Sequence, residues 1–118
     1  MTFSYPKKNR LLTKSDFHSL KEGSRKFRDP FLTSFYKPNN LTVSRAGFSI
    51  NSKNFNAVQR NRLKRVMRDI FRHEKDKLSA TDFLVVVSSK KKDMDFPEFI
   101  QNITCSFRKF LLNLVTNK

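Results

Sequence analysis

The chain is 118 residues long and carries 25 Lys and Arg against 10 Asp and Glu, a formal charge of +15 at pH 7. That length suits one domain spanning 1–118, and thirteen Phe residues exclude a disordered basic tail, because disorder goes with few aromatic side chains. The single cysteine, Cys105, excludes an internal disulfide framework, and no apolar run approaches the roughly 18 residues of a membrane span, so a soluble, cytoplasmic protein with a polyanionic partner is expected.

The first expected element is a helix over about Lys14–Glu22. Thr13 and Asp16 have the spacing of a capping box, Leu12 and Phe17 that of a hydrophobic staple, and Gly23 is placed to end the helix. The aromatic stretch Pro30–Pro38, trailed by Asn39 and Asn40, reads as a strand leading into a turn. Arg45–Ile50 reads as a second strand, antiparallel to the first. Asn56 with Gln59 three positions on is the Asn form of the capping box, opening a long helix over Ala57–Leu78. Leu63, Val66, Met67, Ile70 and Phe71 form its apolar stripe. The run Asp82–Val87 has the continuous apolar character of a strand buried on both faces. A last helix begins near Pro97 with Asp95 as its cap, and Phe99, Ile103, Phe107, Phe110, Leu111 and Leu114 are its core stripe. The expected architecture is α+β, an α-β-β-α-β-α sandwich. Its helices pack on a small mixed sheet, with a parallel crossover around the long basic helix.

That helix carries the chemistry. Arg60, Arg62, Lys64, Arg65, Arg68 and Arg72 fall within thirteen positions, opposed only by Asp69. At helical spacing Asn61, Arg65, Arg68 and Arg72 line up away from the apolar stripe. Guanidinium groups suit phosphate because their planar fork donates two parallel hydrogen bonds and stays charged. Asn61 adds a donor and an acceptor for a base edge or a 2′-hydroxyl. An ordinary exposed face intersperses signs, since like charges four apart repel by a few tenths of a kcal/mol. A face this one-sided points to a polyanion.

The stretch Asn56–Asp69, N-A-V-Q-R-N-R-L-K-R-V-M-R-D, closely resembles the signature of the protein subunit of bacterial ribonuclease P. The early Asp16-Phe17 pair, the Gly47–Ile50 strand and the apolar third strand extend that resemblance over most of the chain. The resemblance implies a small basic protein that binds a catalytic RNA and helps it remove the 5′ leader of precursor tRNA. In that family the RNA performs the Mg²⁺-dependent hydrolysis and holds most of the Mg²⁺. The protein holds the leader in a cleft between sheet and first helix and strengthens metal binding, with no further protein partner required. Carried over by position, Arg60, Asn61, Arg62, Lys64, Arg65 and Arg68, with Arg72 beyond them, would contact the RNA. Phe17, Phe35, Ser49 and Lys53 would line the leader cleft. The family's crossover is left-handed, against the usual preference. The chain departs from the pattern at Asn51–Phe55, where the family has S-K-K-x-G, and at Leu20, where a second aromatic is common.

Other readings stay beside these. Phe17 suits a staple as well as a stacking partner for a nucleotide, and Phe35 and Phe48 suit a core. Lys90, Lys91 and Lys92 read as a solvated loop, His18 and His73 as surface histidines, and Cys105 as unactivated. The chain could instead be another basic RNA-binding protein, such as a ribosomal protein. A stand-alone nuclease would need convergent carboxylates or histidines, whereas the acidic residues are scattered.

Overall fold

The structure, a computed structural model, describes residue 20 and residues 23–39, 43–78, 80–87 and 94–116. Strands β1 (Arg25–Arg28), β2 (Thr33–Pro38), β3 (Arg45–Ile50) and β4 (Thr81–Val87) form one sheet in the order β1-β2-β4-β3. Helix α1 (Ala57–Glu74) connects β3 to β4, and α2 (Phe96–Thr116) follows β4. The fold is α+β with helices packed on a mixed sheet, as expected. The parallel pair is β3 with β4, so α1 is the expected crossover; β2 runs antiparallel to β4 and β1 antiparallel to β2.

Four differences from the sequence reading stand out. Strand β1 was not expected. Its four residues, R-K-F-R, carry one apolar side chain at a sheet edge, too little for a strand signal. Residues Pro30–Leu32 belong to the β1–β2 hairpin turn, not to β2. The Asp29 carboxylate accepts the backbone N–H groups of Phe31 (2.8 Å) and Leu32 (3.2 Å), which closes the turn before the strand starts. Strand β3 is antiparallel in direction to β2 but does not neighbour it, because β4 inserts between them. The long helix ends at Glu74, its expected last turn drawn into a 3₁₀ turn at Lys75–Lys77. The expected Lys14–Glu22 helix, the Lys90–Lys92 run and His18 lie outside the described residues, apart from Leu20, which is helical. Gly23 has φ +75°, the left-handed conformation suited to a helix-ending glycine.

The helix starts follow the sequence closely. Asn56 accepts the Gln59 N–H (2.9 Å) while Gln59 accepts the Asn56 N–H (3.1 Å), which completes the capping box. Asp95 accepts the Glu98 N–H at 2.9 Å, with Pro97 in the first turn where its missing N–H costs nothing.

Cross-strand register assigns the two faces of the sheet. On one lie Phe83, Val85 and Val87 with Ala46, Phe48, Ile50, Ser34, Tyr36 and Phe27, and both helices pack here. The expected stripe of α2, Phe99 to Leu114, is wholly buried, as are Leu63, Met67, Ile70 and Phe71 of α1. Phe83 sits at the centre, with ring centroids 5.5 Å from Phe71, 6.2 Å from Phe107 and 5.2 Å from Phe110. Phe48 is a half-buried core residue against Phe107. The opposite face holds Leu84 and Val86 of β4, with Leu20 and Phe35 packed on them.

Two buried polar residues differ in their support. Asp82, on the second face, accepts Arg45 Nε (2.9 Å) and Nη2 (2.6 Å) and Asn39 Nδ2 (2.7 Å), which ties the starts of β3 and β4 to the end of β2. Ser34 is fully buried and its hydroxyl has no hydrogen-bond partner among the described residues. Asp82→Ala is therefore expected to cost about 2 kcal/mol by stranding the Arg45 charge, which is partly relieved by its exposure. Ser34→Ala is expected to be neutral or to stabilise by up to about 1 kcal/mol. Thermal denaturation of both variants checks this pair, and a marked loss of stability in Ser34→Ala would contradict the burial argument.

Candidate nucleic-acid interface

Helix α1 presents two sides of opposite character. Because Leu63, Met67, Ile70 and Phe71 are drawn onto the sheet, Asn61, Arg62, Arg65 and Arg68 stand exposed on the far side, with Lys64 half-buried at its border. Val58, 77% exposed, lies on the same outward side near the helix start. Two of the expected ladder residues are engaged within the protein. Arg60 turns toward the helix start, where its Nη1 donates to the Phe55 carbonyl at 2.7 Å. Arg72 forms an ion pair with Asp69 one turn back. Arg62 and Arg65, in the middle of the helix, are thus the cations most plainly presented to solvent.

The open face of the sheet is a second candidate surface, built from three cross-strand rows. Register aligns Arg28, Thr33, Val86 and Ser49 in one row, Lys26, Phe35, Leu84 and Gly47 in the next, and Lys37, Asp82 and Arg45 in the third. Phe35 and Ser49 therefore share a face, about 10 Å apart across two strand spacings and offset by two residues along them. Ser49 is exposed and Phe35 half-buried. Lys53 lies beyond the end of β3 in an exposed turn whose N–H is held by the Asn51 side chain at 2.8 Å. Phe17 lies outside the described residues. The structure thus brings Phe35 and Ser49 onto one face of the sheet, opposite the face on which α1 packs, and puts Lys53 at the same end as Ser49.

The sequence reading missed the cations that complete this face. Lys26 and Arg28 come from β1, Lys37 from β2 and Arg45 from β3. The single apolar residue Phe27 between Lys26 and Arg28 is too short an alternation to have found them from sequence. Among the described strand residues Asp82 is the carboxylate on this face, and Arg45 and Asn39 enclose it. The alternating rows of phenyl, aliphatic and ammonium groups have the character of a surface for single-stranded nucleic acid, which combines a cationic track with apolar platforms.

The protein-family model for Ribonuclease P matches residues 5–111. The ribonuclease P protein component of Citrifermentans bemidjiense is 31% identical over 104 residues, covering 88% of this chain and 90% of that one. That of Buchnera aphidicola subsp. Baizongia pistaciae is 36% identical over 95 residues, covering 80% and 83%. Among solved structures, the RNase P protein of Staphylococcus aureus superposes with a TM-score of 0.76 at 25% identity, covering 92% of this chain and 95% of that one. The RNase P protein of Thermotoga maritima gives 0.70 at 26% identity, covering 90% and 94%.

The internal hydrogen bond of Arg60 and the exposure of Arg65 have different consequences for stability. Arg60→Ala is expected to lower stability by about 1 kcal/mol through the lost bond to Phe55, whereas Arg65→Ala leaves the melting temperature unchanged. Parallel melts of the two variants make the comparison.

Proposed function

Since the chain belongs to the Ribonuclease P family, we propose that it is the protein subunit of a ribonucleoprotein endoribonuclease, an accessory to the catalytic RNA in tRNA 5′ maturation. The observation that carries this reading is the division of α1, apolar side sealed on the sheet and Arg62, Arg65 and Arg68 turned outward. Folded RNA is the partner for that side, because a close-spaced guanidinium array gains most where phosphates are densest and releases their condensed counterions. The open sheet face holds the 5′ leader of precursor tRNA. Tethering the leader there favours precursor over the leaderless product, since the second contact becomes intramolecular once the tRNA body is bound.

The Mg²⁺ that the hydrolysis needs is held mainly by the RNA. The protein's part is to bind, orient and neutralise. The same reading puts the chain in the cytoplasm with its RNA; no helix among the described residues is long and apolar enough to cross a membrane.

Arg65→Ala is expected to weaken binding of the catalytic RNA and to lower the slope of log K against log salt by about 0.7–0.9. Asp69→Asn should act in the opposite sense, releasing Arg72 and steepening the slope. Filter binding over a salt series reads both, and an unchanged slope in Arg65→Ala would remove α1 as the contact surface. Reconstitution tests the whole reading. Cleavage of precursor tRNA at low Mg²⁺ is expected only when protein and RNA are both present; cleavage by the purified protein alone would overturn it.

A further inference from the structure

We propose that Lys26, presented by edge strand β1 and held over the ring of Phe35, is a phosphate contact for the single-stranded leader. Phe35 then acts as a positioning residue for that ammonium group, not as a stacking platform for a base. This inference rests on the reading of the open sheet face given above and assigns the individual roles on it.

Register sets Lys26 directly opposite Phe35, and its Nζ lies 5.2 Å from the centroid of the ring. At that distance the ring's negative face attracts the ammonium group. Phe35 also packs against Leu20 and Leu84 on the open face. A ring with aliphatic side chains against it and a cation over one face has little surface left for a nucleobase. The lysine is itself exposed, and its neighbours on this face, Arg28 and Lys37, carry the same sign. Among the described strand residues the carboxylate on this face, Asp82, is occupied by Arg45 and Asn39. Lys26 therefore combines exposure with a restrained side chain. Restraint matters because a free lysine gives up rotamer freedom when it grips a phosphate, and a stem already laid over a ring has less to lose. A compact ammonium with three donors also suits the irregular phosphate spacing of a flexible strand better than a planar fork does.

The test uses the full chain assembled with catalytic RNA, measuring affinity for precursor tRNA and for leaderless tRNA over a salt series. Lys26→Ala is expected to weaken precursor binding about fivefold, lower its salt slope by about 0.7 and leave leaderless tRNA unaffected. Lys26→Arg should restore most of the affinity. Phe35→Leu should weaken precursor binding less, flatten the slope in the same sense, and add nothing in the Lys26→Ala background. The proposal is overturned if Lys26→Ala stays within twofold of the parent at every salt concentration. It is equally overturned if Phe35→Leu costs the same with and without Lys26 at an unchanged slope, which would assign the ring to a base. Lys26 is exposed, so its substitution tests contact without risk to folding. A parent assembly that fails to distinguish precursor from leaderless tRNA would overturn the leader reading itself, and this assignment with it.

Discussion

The organisation of this protein depends on how the central strand β4 is buried. Phe83, Val85 and Val87 face one way and meet both long helices, with Phe83 touching the rings of Phe71, Phe107 and Phe110. Phenyl groups bury large areas and pack best edge to face, so a cluster of four fixes the helices on that side. Leu84 and Val86 face the other way and meet Leu20 and Phe35. Among the described residues both long helices lie on one side of the four-stranded sheet, and that asymmetry separates the two surfaces.

Charge is divided by the same geometry. Basic residues that reach an internal acceptor act as struts: Arg60 on the Phe55 carbonyl, Arg72 on Asp69 and Arg45 on Asp82. Those that reach none among the described residues, such as Arg62 and Arg65, are left facing solvent. An isolated surface ion pair contributes little, typically below about 1 kcal/mol, so the strut at Arg72 yields easily to a denser array of phosphates. The bidentate Arg45–Asp82 pair, with a carboxylate 9% exposed, does not.

Long periodic elements were legible from the residues, and short ones were not. Both capping motifs, the buried stripes of α1 and α2 and the doubly buried β4 all follow from spacing, because each rests on many side chains agreeing on one period. Strand β1 escaped notice because a four-residue edge strand needs only one inward side chain, Phe27, and the rest of its stability comes from pairing with β2. The insertion of β4 between β2 and β3 was equally hidden, since strand order is decided by long-range burial and not by any local signal. For the same reason the α1 face could be read directly, whereas the open sheet face needed the register to bring Lys26, Phe35 and Ser49 together. The difference between Arg60 and Arg65 was hidden too, because it depends on where one carbonyl oxygen ends up.

Strand β1 is a sheet edge, with backbone groups on its outer side open to pairing with another chain, and such edges invite fibrous self-association. Arg25, Lys26 and Arg28 stud this one. Two copies brought edge to edge would stack like charges along the whole ribbon, a repulsion that small ions screen only in part. The cations of β1 thus guard this edge of the sheet against self-pairing.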